Sequence, residues 1–222
     1  MEQQNISDYN LFMMCRAPRE EAFAPLPAGF HFDLCRREEL ETWMRFPFDT
    51  QEEARQYAPF MTRYFQNVYA AKEAEFFARC LFVREASGAP VGTAFLWRAY
   101  GRVNTLHWLK VRREYEGRGI GRALLTRLLM PLAPEEYPVY LHTQPSSYRA
   151  IKLYSDLGFS FLDMPVIDGR ENGLASSIPV LKSMMPEAAY RRLSVMGYDV
   201  SSGRFSPRRP LDTVSEMLKE PR

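Results

Sequence analysis

The chain has little cysteine, and its cysteines do not form a pattern that would bind a metal or build a disulfide framework. Cys15, Cys35 and Cys80 are the three cysteines, and no two of them have CxxC spacing. Few, isolated thiols in odd number are not typical of a disulfide-stapled secreted domain or a structural zinc site. No cluster of His, Asp and Glu has metal-ligand spacing either. We therefore expect reduced thiols and no bound metal.

The sequence also lacks the features that direct a chain to a membrane or to nucleic acid. No apolar run approaches the ~20 residues that cross a bilayer. The N-terminal MEQQNISDYN has no apolar signal-peptide core. The formal net charge of +2 is too small to favour nucleic acid or an anionic membrane as a partner. These absences predict a cytoplasmic protein.

The composition that is present is that of an ordinary globular protein. Hydrophobic residues make up 46% and charged residues 25% of the 222 residues, which suits one domain with or without extensions. Residues 1–29 are interpreted as a short amphipathic start followed by a Pro-rich connector. After about residue 163 the pattern is weaker. A helix is expected over Met185–Met196, whereas Ser201–Pro210 is polar, basic and rich in turn residues.

The middle of the chain alternates predicted strands and helices, as period-two and period-3.6 patterns indicate. A helix is expected from an N-cap at Asp49 or Thr50 to about Glu75, and Pro59 would kink or split it. Its aromatic stripe either packs in the core or lines a substrate pocket. The other predicted helices are 37–45, 121–130 and 147–157, and the predicted strands are 30–36, 76–83, 91–97, 104–111, 139–143 and 159–162.

This order of elements predicts an α+β fold, a three-layer arrangement in which helices flank a mixed, mostly antiparallel sheet. One parallel strand–helix–strand unit is expected at its centre.

A glycine-rich turn leads from an apolar strand into a helix. Gly117, Gly119 and Gly121 allow the backbone to approach a ligand closely. The free N–H groups and the dipole of a helix start favour an anion there, and Arg118 and Arg122 add positive charge. The spacing fits neither the nucleotide P-loop nor the dinucleotide GxGxxG fingerprint. The turn is therefore interpreted as a cradle for another diphosphate, or else as a tight strand-to-helix connection.

Two blocks of the sequence resemble the signature of the GNAT superfamily of N-acetyltransferases. Leu109-Lys110-Val111 followed by Glu116-Gly117-Arg118-Gly119-Ile120-Gly121 is similar to the family's strand ending in Leu-x-Val and its Arg/Gln-x-x-Gly-x-Gly/Ala turn. Residues 147–159 are similar to Asn-x-x-Ala-x-x-Leu-Tyr-x-x-x-Gly-Phe. Glu116 and Ser147 depart from the common residues. The resemblance extends over residues 91–162 and is weaker over 30–83.

The resemblance implies an acetyl-CoA-dependent N-acetyltransferase that acts on a primary amine of a small molecule or peptide by direct attack. It implies a GNAT domain over residues 30–163, an N-terminal extension over 1–29 and a C-terminal extension over 164–222, which would complete the sheet or act as a lid or dimer arm. Backbone amides of the glycine-rich turn would hold the pyrophosphate of acetyl-CoA. The implied cofactor-binding residues are Leu109, Lys110, Val111, Glu116, Gly117, Arg118, Gly119, Ile120, Gly121, Arg122, Ser147 and Ala150.

Two catalytic groups follow from the same resemblance. Tyr154 occupies the general-acid position, where a phenol with a pKa near ~10 can protonate the departing thiolate. The backbone N–H of Leu109 or Val111 would polarise the acyl carbonyl.

The base is a separate question, and His107 is the candidate. Side chains alternate along a strand, so Thr105, His107, Leu109 and Val111 are expected on one face. An imidazole that titrates near neutrality suits deprotonation of an amine, and a member of the superfamily has a histidine at the corresponding position. A buried structural histidine is the alternative. His142 is a weaker candidate, and His31 is interpreted as structural.

Several alternatives stay open from the sequence alone. Glu116 and Ser147 would also suit a catalytically silent acyl-CoA-binding or regulatory domain. The acceptor could be a hydroxyl instead of an amine. Arg204, Arg208 and Arg209 are the only support for nucleic-acid binding, against which the near-neutral charge argues. A homodimer is expected only by analogy with the family. Trp97, Trp108, Tyr57 and Tyr64 suggest either an aromatic acceptor pocket or simple core packing.

Overall fold

The computed structural model describes residues 9–99, 101 and 103–214. The prediction that the chain has no signal peptide was made from the polar segment at residues 1–10. The first eight of these residues lie outside the described range. The chain divides into two compact units. The continuous unit is Phe23–Leu132, and the split unit joins the described residues of Met1–Ala22 and Ala133–Arg222.

The described residues form short strands and helices along most of their length. No helix among them is long and apolar enough to cross a membrane. The α-helices are α1 Leu40–Arg45, α2 Gln51–Val68, α3 Glu73–Arg79, α4 Ile120–Leu129, α5 Tyr148–Asp156, α6 Leu174–Met184 and α7 Glu187–Tyr190. The strands are β1 Leu11–Cys15, β2 Phe30–Leu34, β3 Leu81–Glu85, β4 Pro90–Ala99, β5 Val103–Val111, β6 Val139–Thr143, β7 Ser160–Leu162, β8 Val166–Ile167, β9 Arg170–Glu171, β10 Ser194–Met196, β11 Tyr198–Asp199, β12 Arg204–Phe205 and β13 Arg209–Pro210.

In the continuous unit, β2, β3, β4 and β5 pair in that order, and each pair is antiparallel. The predicted hairpin between residues 76–83 and 91–97 is present as β3 and β4. Arg84 is buried in this sheet, where it pairs with Asp33 and Glu39 at 2.8 and 2.7 Å. A buried guanidinium needs such partners, since leaving it unpaired would cost several kcal/mol.

A capping box starts α2 at Thr50, one of the two predicted N-caps. The Thr50 hydroxyl accepts from the Glu53 amide, and the Glu53 carboxylate accepts from the Thr50 amide, both at 3.1 Å. The helix continues through Pro59 and ends at Val68, so the predicted extension to Glu75 was too long.

The predicted strand over residues 76–83 was wrong in its first half. Phe76–Arg79 belongs to α3, and the strand begins at Leu81. Phe76 is fully buried against Trp43 and Phe65, so a helical turn places it in the core. The apolar run of residues 76–83 therefore divides between a buried helix and a buried strand, which periodicity alone cannot separate.

The core of the continuous unit is largely aromatic. Met61, Phe65 and Tyr69 on and after α2 are buried, whereas Tyr57 and Phe60 on the same helix are exposed. Part of the predicted aromatic stripe is therefore core, and part is surface. The core cluster comprises Cys35, Trp43, Phe46, Met61, Phe65, Tyr69, Phe76, Cys80, Phe82, Phe95 and Trp97.

In the split unit, β1 is a strand that the sequence analysis did not predict. It pairs antiparallel with β6 on one side and β7 on the other, and all five of its residues are buried. The segment Leu11–Cys15 (LFMMC) shows no alternation because both of its faces are covered. The interpretation of this region as an amphipathic start and connector therefore missed a buried strand.

The C-terminal extension after residue 163, here called the tail, adds further strands to the split unit. β10 pairs parallel with β7, and β13 pairs antiparallel with β10. The helix predicted over Met185–Met196 is mostly wrong, because only Glu187–Tyr190 is helical and Ser194–Met196 is a strand. The neighbouring strand β7 supplies the ladder that turns this short apolar segment into a strand.

The predicted fold class is confirmed. Strand pairs are mostly antiparallel, a parallel pair is present, and helices accompany the sheet. The segment from residue 104 to 143 has the predicted order of strand, helix and strand. The division at residues 29 and 163 stays a prediction.

Candidate active site

The strand, turn and helix in which a diphosphate cradle was predicted all lie in the continuous unit. β5 ends at Val111, a 3-10 turn covers Arg113–Tyr115, and α4 begins at Ile120. Gly117 and Gly119 have φ of 76° and 87°, a left-handed conformation that favours glycine. A Cβ on Gly117 would meet nothing within 4 Å. The glycine is therefore required by the backbone, and the space beside it is open.

The start of α4 provides hydrogen-bond donors for an anion. Its N-cap is Gly119, which has no side chain to cap the first amides. Residues 116–119 are exposed, while Gly121 and Arg122 are half-buried in the first turn of the helix. The amide groups and the helix dipole at such an end stabilise a phosphate. The backbone geometry thus fits a diphosphate.

Arg118 does not extend freely from the turn. Its guanidinium lies 5.0 Å from the centre of the Tyr115 ring and donates to the Glu114 carbonyl at 3.2 Å. The Tyr115 hydroxyl in turn donates to Glu85 at 2.6 Å. The structure therefore holds Arg118 against the turn that precedes α4, where it adds positive charge beside the exposed glycines.

β5 contains a bulge that the sequence analysis did not anticipate. His107 pairs with Phe95 and Lys110 pairs with Thr93, so β5 has one more residue than β4 between these pairs. Trp108 in this interval has φ of 54°, which is unusual for a bulky side chain. The extra residue shifts the alternation of side chains between the two faces of the strand.

The prediction that Thr105, His107, Leu109 and Val111 share one face is therefore wrong. Thr93 and Phe95 lie on one face of β4, so their partners Lys110 and His107 also share a face. Val111 pairs with Gly92, where a Cβ would lie 3.1 Å from Ile120. Leu109 and Val111 thus face α4, whereas His107 faces the aromatic core with Lys110, which pairs with Asp49 at 2.6 Å.

His107 is part of a hydrogen-bond chain that uses both of its ring nitrogens. Thr105 donates to the Trp97 carbonyl at 2.9 Å, so its hydroxyl accepts from His107 Nε2 at 2.8 Å. Nδ1 then accepts from the Tyr69 hydroxyl at 2.5 Å, and Tyr69 accepts from Trp108 Nε1 at 3.0 Å. These directions are fixed by the Thr105 donation and by the indole, which can only donate.

The electrostatics of His107 follow from its surroundings. Burial lowers the pKa of His107 to about 4. The ring is therefore neutral at physiological pH and could accept a proton. Its one lone pair, however, is already used by the Tyr69 hydroxyl, which itself has a pKa raised by burial.

The second predicted block lies in the split unit, on α5. Ser147 precedes the helix and is exposed, and Ala150 in the first turn is half-buried. Tyr154 is 6% exposed and packs against Phe159 with ring centres 5.8 Å apart. Among the residues that the structure describes, none forms a hydrogen bond with the Tyr154 hydroxyl. Burial raises its pKa, so the phenol keeps its proton.

Residues that the sequence analysis did not select hold the C-terminal end of α5. The Arg19 amide donates to the Leu157 carbonyl at 3.1 Å, and Arg208 donates to the Gly158 carbonyl at 2.7 Å. The Ser155 hydroxyl donates to the Arg192 carbonyl at 3.2 Å. No local sequence signal could have identified these contacts, because they join segments far apart in the chain.

The other histidines and the tail arginines that the sequence suggested lie outside the glycine-rich turn and the hydrogen-bond chain of His107. His142 is exposed and pairs with Asn10 at 2.8 Å, and His31 is exposed on β2. Arg208 caps α5 and Arg209 pairs with Asp163, so both of these tail arginines make contacts within the split unit. In the described part of the chain, no group of three or more His, Cys, Asp or Glu could hold a metal ion.

Comparison with known proteins gives a family match. The sequence profile described as "Acetyltransferase (GNAT) family" matches residues 36–159. The ribosomal protein bS18-alanine N-acetyltransferase of Escherichia coli K12 is 33% identical over 82 residues, which cover 34% of this chain and 55% of that protein. The chain therefore spans about half the length of the curated relatives that it matches.

Solved structures with a similar fold were also found. A GNAT-family acetyltransferase of Staphylococcus aureus Mu50 has a TM-score of 0.44 and 19% identity, over 57% of this chain and 81% of that one. A GNAT-family acetyltransferase of Colwellia psychrerythraea has a TM-score of 0.47 and 18% identity, over 68% of this chain and 52% of that one.

Proposed function

Since the chain belongs to the GNAT acetyltransferase family, we propose that it transfers an acetyl group from acetyl-CoA to a primary amine of a small molecule or peptide. The observation that carries this proposal is the start of α4. Two left-handed glycines, an N-cap without a side chain and open space beside Gly117 fit a pyrophosphate.

The end of β5 and the start of α4 would bind the pyrophosphate and the thioester of the donor. Backbone amides of Gly117–Gly121 would hold the pyrophosphate, with Arg118 and Arg122 adding positive charge. Backbone N–H groups of Leu109 or Val111, on the segment of β5 that follows the bulge, would polarise the thioester carbonyl. Lys110 and Glu116 would contact the donor through the backbone, so the departure at Glu116 from the common Arg or Gln is compatible with binding.

Ser147 and Ala150 would contribute to the pantetheine contacts, and Tyr154 would be the general acid. A protonated phenol without a competing hydrogen bond among the described residues can give its proton to the CoA thiolate as the C–S bond breaks. The acceptor nitrogen attacks the acetyl carbon, the amide C–N bond forms, and the excess proton leaves the nitrogen.

His107 stays the proposed base, but its hydrogen bond with Tyr69 restricts how it can take up a proton. It is neutral, but Tyr69 lies on its lone pair. Proton uptake by His107 therefore requires that the Tyr69 hydroxyl relays the proton or that this hydrogen bond opens. The pKa of about 4 predicts no loss of kcat/KM from His107 between pH 8 and pH 5, so an acid limb near 6.5 would point to another base.

The acceptor is proposed at the level of a class. The curated relative acts on an alanine of ribosomal protein bS18, which is compatible with a peptide amine as the acceptor. Small amines are the other class, and the two are separated by a panel of both types.

Calorimetric titration with acetyl-CoA tests the proposal first. Gly119→Glu places a negative side chain at the start of α4, and we expect it to abolish binding. Gly169→Glu is the matched control, because Gly169 also has a left-handed φ and open space but lies in the β8–β9 turn. Absence of binding by the unmodified chain would refute the proposal. Binding without turnover on the amine panel would instead support a silent acyl-CoA-binding domain.

A further inference from the structure

Two large aromatic side chains are exposed on neighbouring turns of α2. Tyr57 is 45% and Phe60 is 46% exposed, although the same helix buries Met61 and Phe65 on its other face. Residues three apart on a helix are neighbours on its surface. Clustered exposed aromatics are unusual on a soluble protein and mark a binding surface more often than isolated ones do.

Each of these two rings contacts a further aromatic ring, and the contacts that start at Phe60 reach β5. Phe48 and Tyr57 stack nearly parallel, with ring centres 5.2 Å apart and an interplanar angle of 5°. Phe60 contacts Tyr64 at 5.9 Å, and Tyr64 meets Trp108 edge-on at 5.3 Å. We call Phe48, Tyr57, Phe60, Tyr64 and Trp108 the aromatic ladder.

The inner end of the ladder is fixed at the bulge of β5. Trp108 adopts a left-handed φ of 54°, a conformation that costs a bulky residue free energy, and the hydrogen bond to Tyr69 holds its indole. Trp108 directly precedes Leu109, whose N–H is one of the two proposed to polarise the thioester. Through Phe60, Tyr64 and Trp108 the ladder therefore runs from solvent to the residue next to the proposed reaction centre.

The chemistry of the ladder indicates what it binds. An acceptor amine is a cation at neutral pH, and the faces of Trp and Tyr attract cations. The rings also offer flat apolar area for an acceptor's own ring. We infer that the aromatic ladder is the acceptor subsite and that it selects primary amines carrying an aromatic ring over aliphatic amines of similar size. This inference rests on the proposed function.

Steady-state kinetics with 2-phenylethylamine and n-hexylamine test the inference. We expect the unmodified chain to prefer the aromatic amine in kcat/KM. Phe60→Ala and Tyr57→Ala should each reduce that preference by roughly three- to tenfold, the magnitude of one lost aromatic contact. Both positions are exposed, so the variants should fold. Met130→Ala removes another exposed apolar side chain, 61% exposed, and should leave the preference unchanged.

Two further measurements separate this inference from the proposed function. Acetyl-CoA affinity, measured by calorimetry, should be the same in the ladder variants and the unmodified chain. Binding of 2-phenylethylamine alone, followed by calorimetry, should weaken in Phe60→Ala even if no turnover is found. Equal preference for the two amines, or an unchanged preference in both variants, would overturn the inference. Loss of a dimer in the variants by sedimentation, with unchanged preference, would show instead that a second copy of the chain covers the ladder.

Discussion

The helices α4 and α5, which belong to the two family blocks, differ in the hydrogen bonding of their glycine-containing ends. At the start of α4, the N-cap Gly119 has no side chain that could accept a hydrogen bond from the first amides, and the residues before it are exposed. At the end of α5, donors from Arg19 and Arg208 meet the carbonyls of Leu157 and Gly158. The first end has no side-chain cap, whereas the second has backbone carbonyls bonded to other segments.

The two glycines at these ends are required for different reasons. Both Gly119 and Gly158 have left-handed φ, of 87° and 101°. A Cβ on Gly119 would come no closer than 3.7 Å to Pro27, but one on Gly158 would lie 2.9 Å from the Ala17 carbonyl oxygen. An open glycine end therefore suits ligand binding, while a packed one anchors the helix that holds Tyr154.

Gly158→Ala should have the largest effect, because it breaks the packed end. Backbone strain and the contact with Ala17 together should lower the free energy of unfolding by about 3–4 kcal/mol. Urea denaturation measures the loss. Gly203→Ala, at φ of 66° with nothing closer than 3.9 Å, should cost only about 1 kcal/mol. Equal costs would contradict the distinction between packed and open glycines.

Acidification should have the second largest effect, because protonation of His107 lowers the free energy of unfolding. Its pKa is lowered in the folded state to about 4 from an ordinary 6.5, so the unfolded chain binds the proton first. Stability is therefore full above pH 6.5 and falls as the pH drops toward 4, by up to about 3 kcal/mol. Urea denaturation across this range measures the slope. His142, whose pKa is lowered in the same direction, also contributes.

Two variants assign that slope to its source. His107→Gln and His142→Gln should each remove a large part of the dependence between pH 6.5 and 4.5, since burial lowers the pKa of each histidine to about 4. If His107→Gln kept the full dependence, burial would not be holding His107 neutral.

Tyr154→Phe should reduce kcat about a hundredfold, or about 2.7 kcal/mol of activation free energy, with acetyl-CoA affinity unchanged. The reason is that Phe keeps the buried packing against Phe159 but cannot donate a proton. Steady-state kinetics and calorimetry measure the two quantities. Tyr148→Phe on the same helix is the control and should retain activity. If Tyr154→Phe kept the full kcat, Tyr154 would not be the general acid.

Arg208→Ala should have the smallest effect of the series. Loss of one charge-assisted hydrogen bond to the Gly158 carbonyl should cost about 1 kcal/mol of stability. Arg204→Ala, an exposed position on β12, should change the free energy of unfolding by less than about 0.5 kcal/mol. If thermal denaturation gave the two variants the same midpoint, the cap on α5 would have no energetic role.

The strand, turn and helix of the first family block could be predicted from the sequence, because glycines and apolar periodicity specify them locally. The bulge at Trp108 could not, since an inserted residue leaves the spacing of side chains along the chain unchanged and appears only against the partner strand. For this reason the orientation of His107 was predicted incorrectly, although its position on β5 was predicted correctly.

Longer-range contacts explain the other differences. The strand Leu11–Cys15 is a short apolar run in the sequence, and only the strands on both of its sides make it a sheet element. Ser194–Met196 is a strand because β7 offers it a ladder. The hydrogen bonds of Tyr69, Arg19 and Arg208 likewise join residues 38, 136 or more, and 50 positions away. Such partners carry no local signal.

The pairing of β10 with β7 has a consequence for shortened forms of the protein. β10 covers a strand edge that would otherwise present the unpaired backbone groups of Phe161 and Leu162, both apolar and buried. Uncovered edges of this kind recruit strands from other molecules. A chain that ended before Ser194 should therefore self-associate into aggregates, so the tail also protects solubility, independently of any part in catalysis.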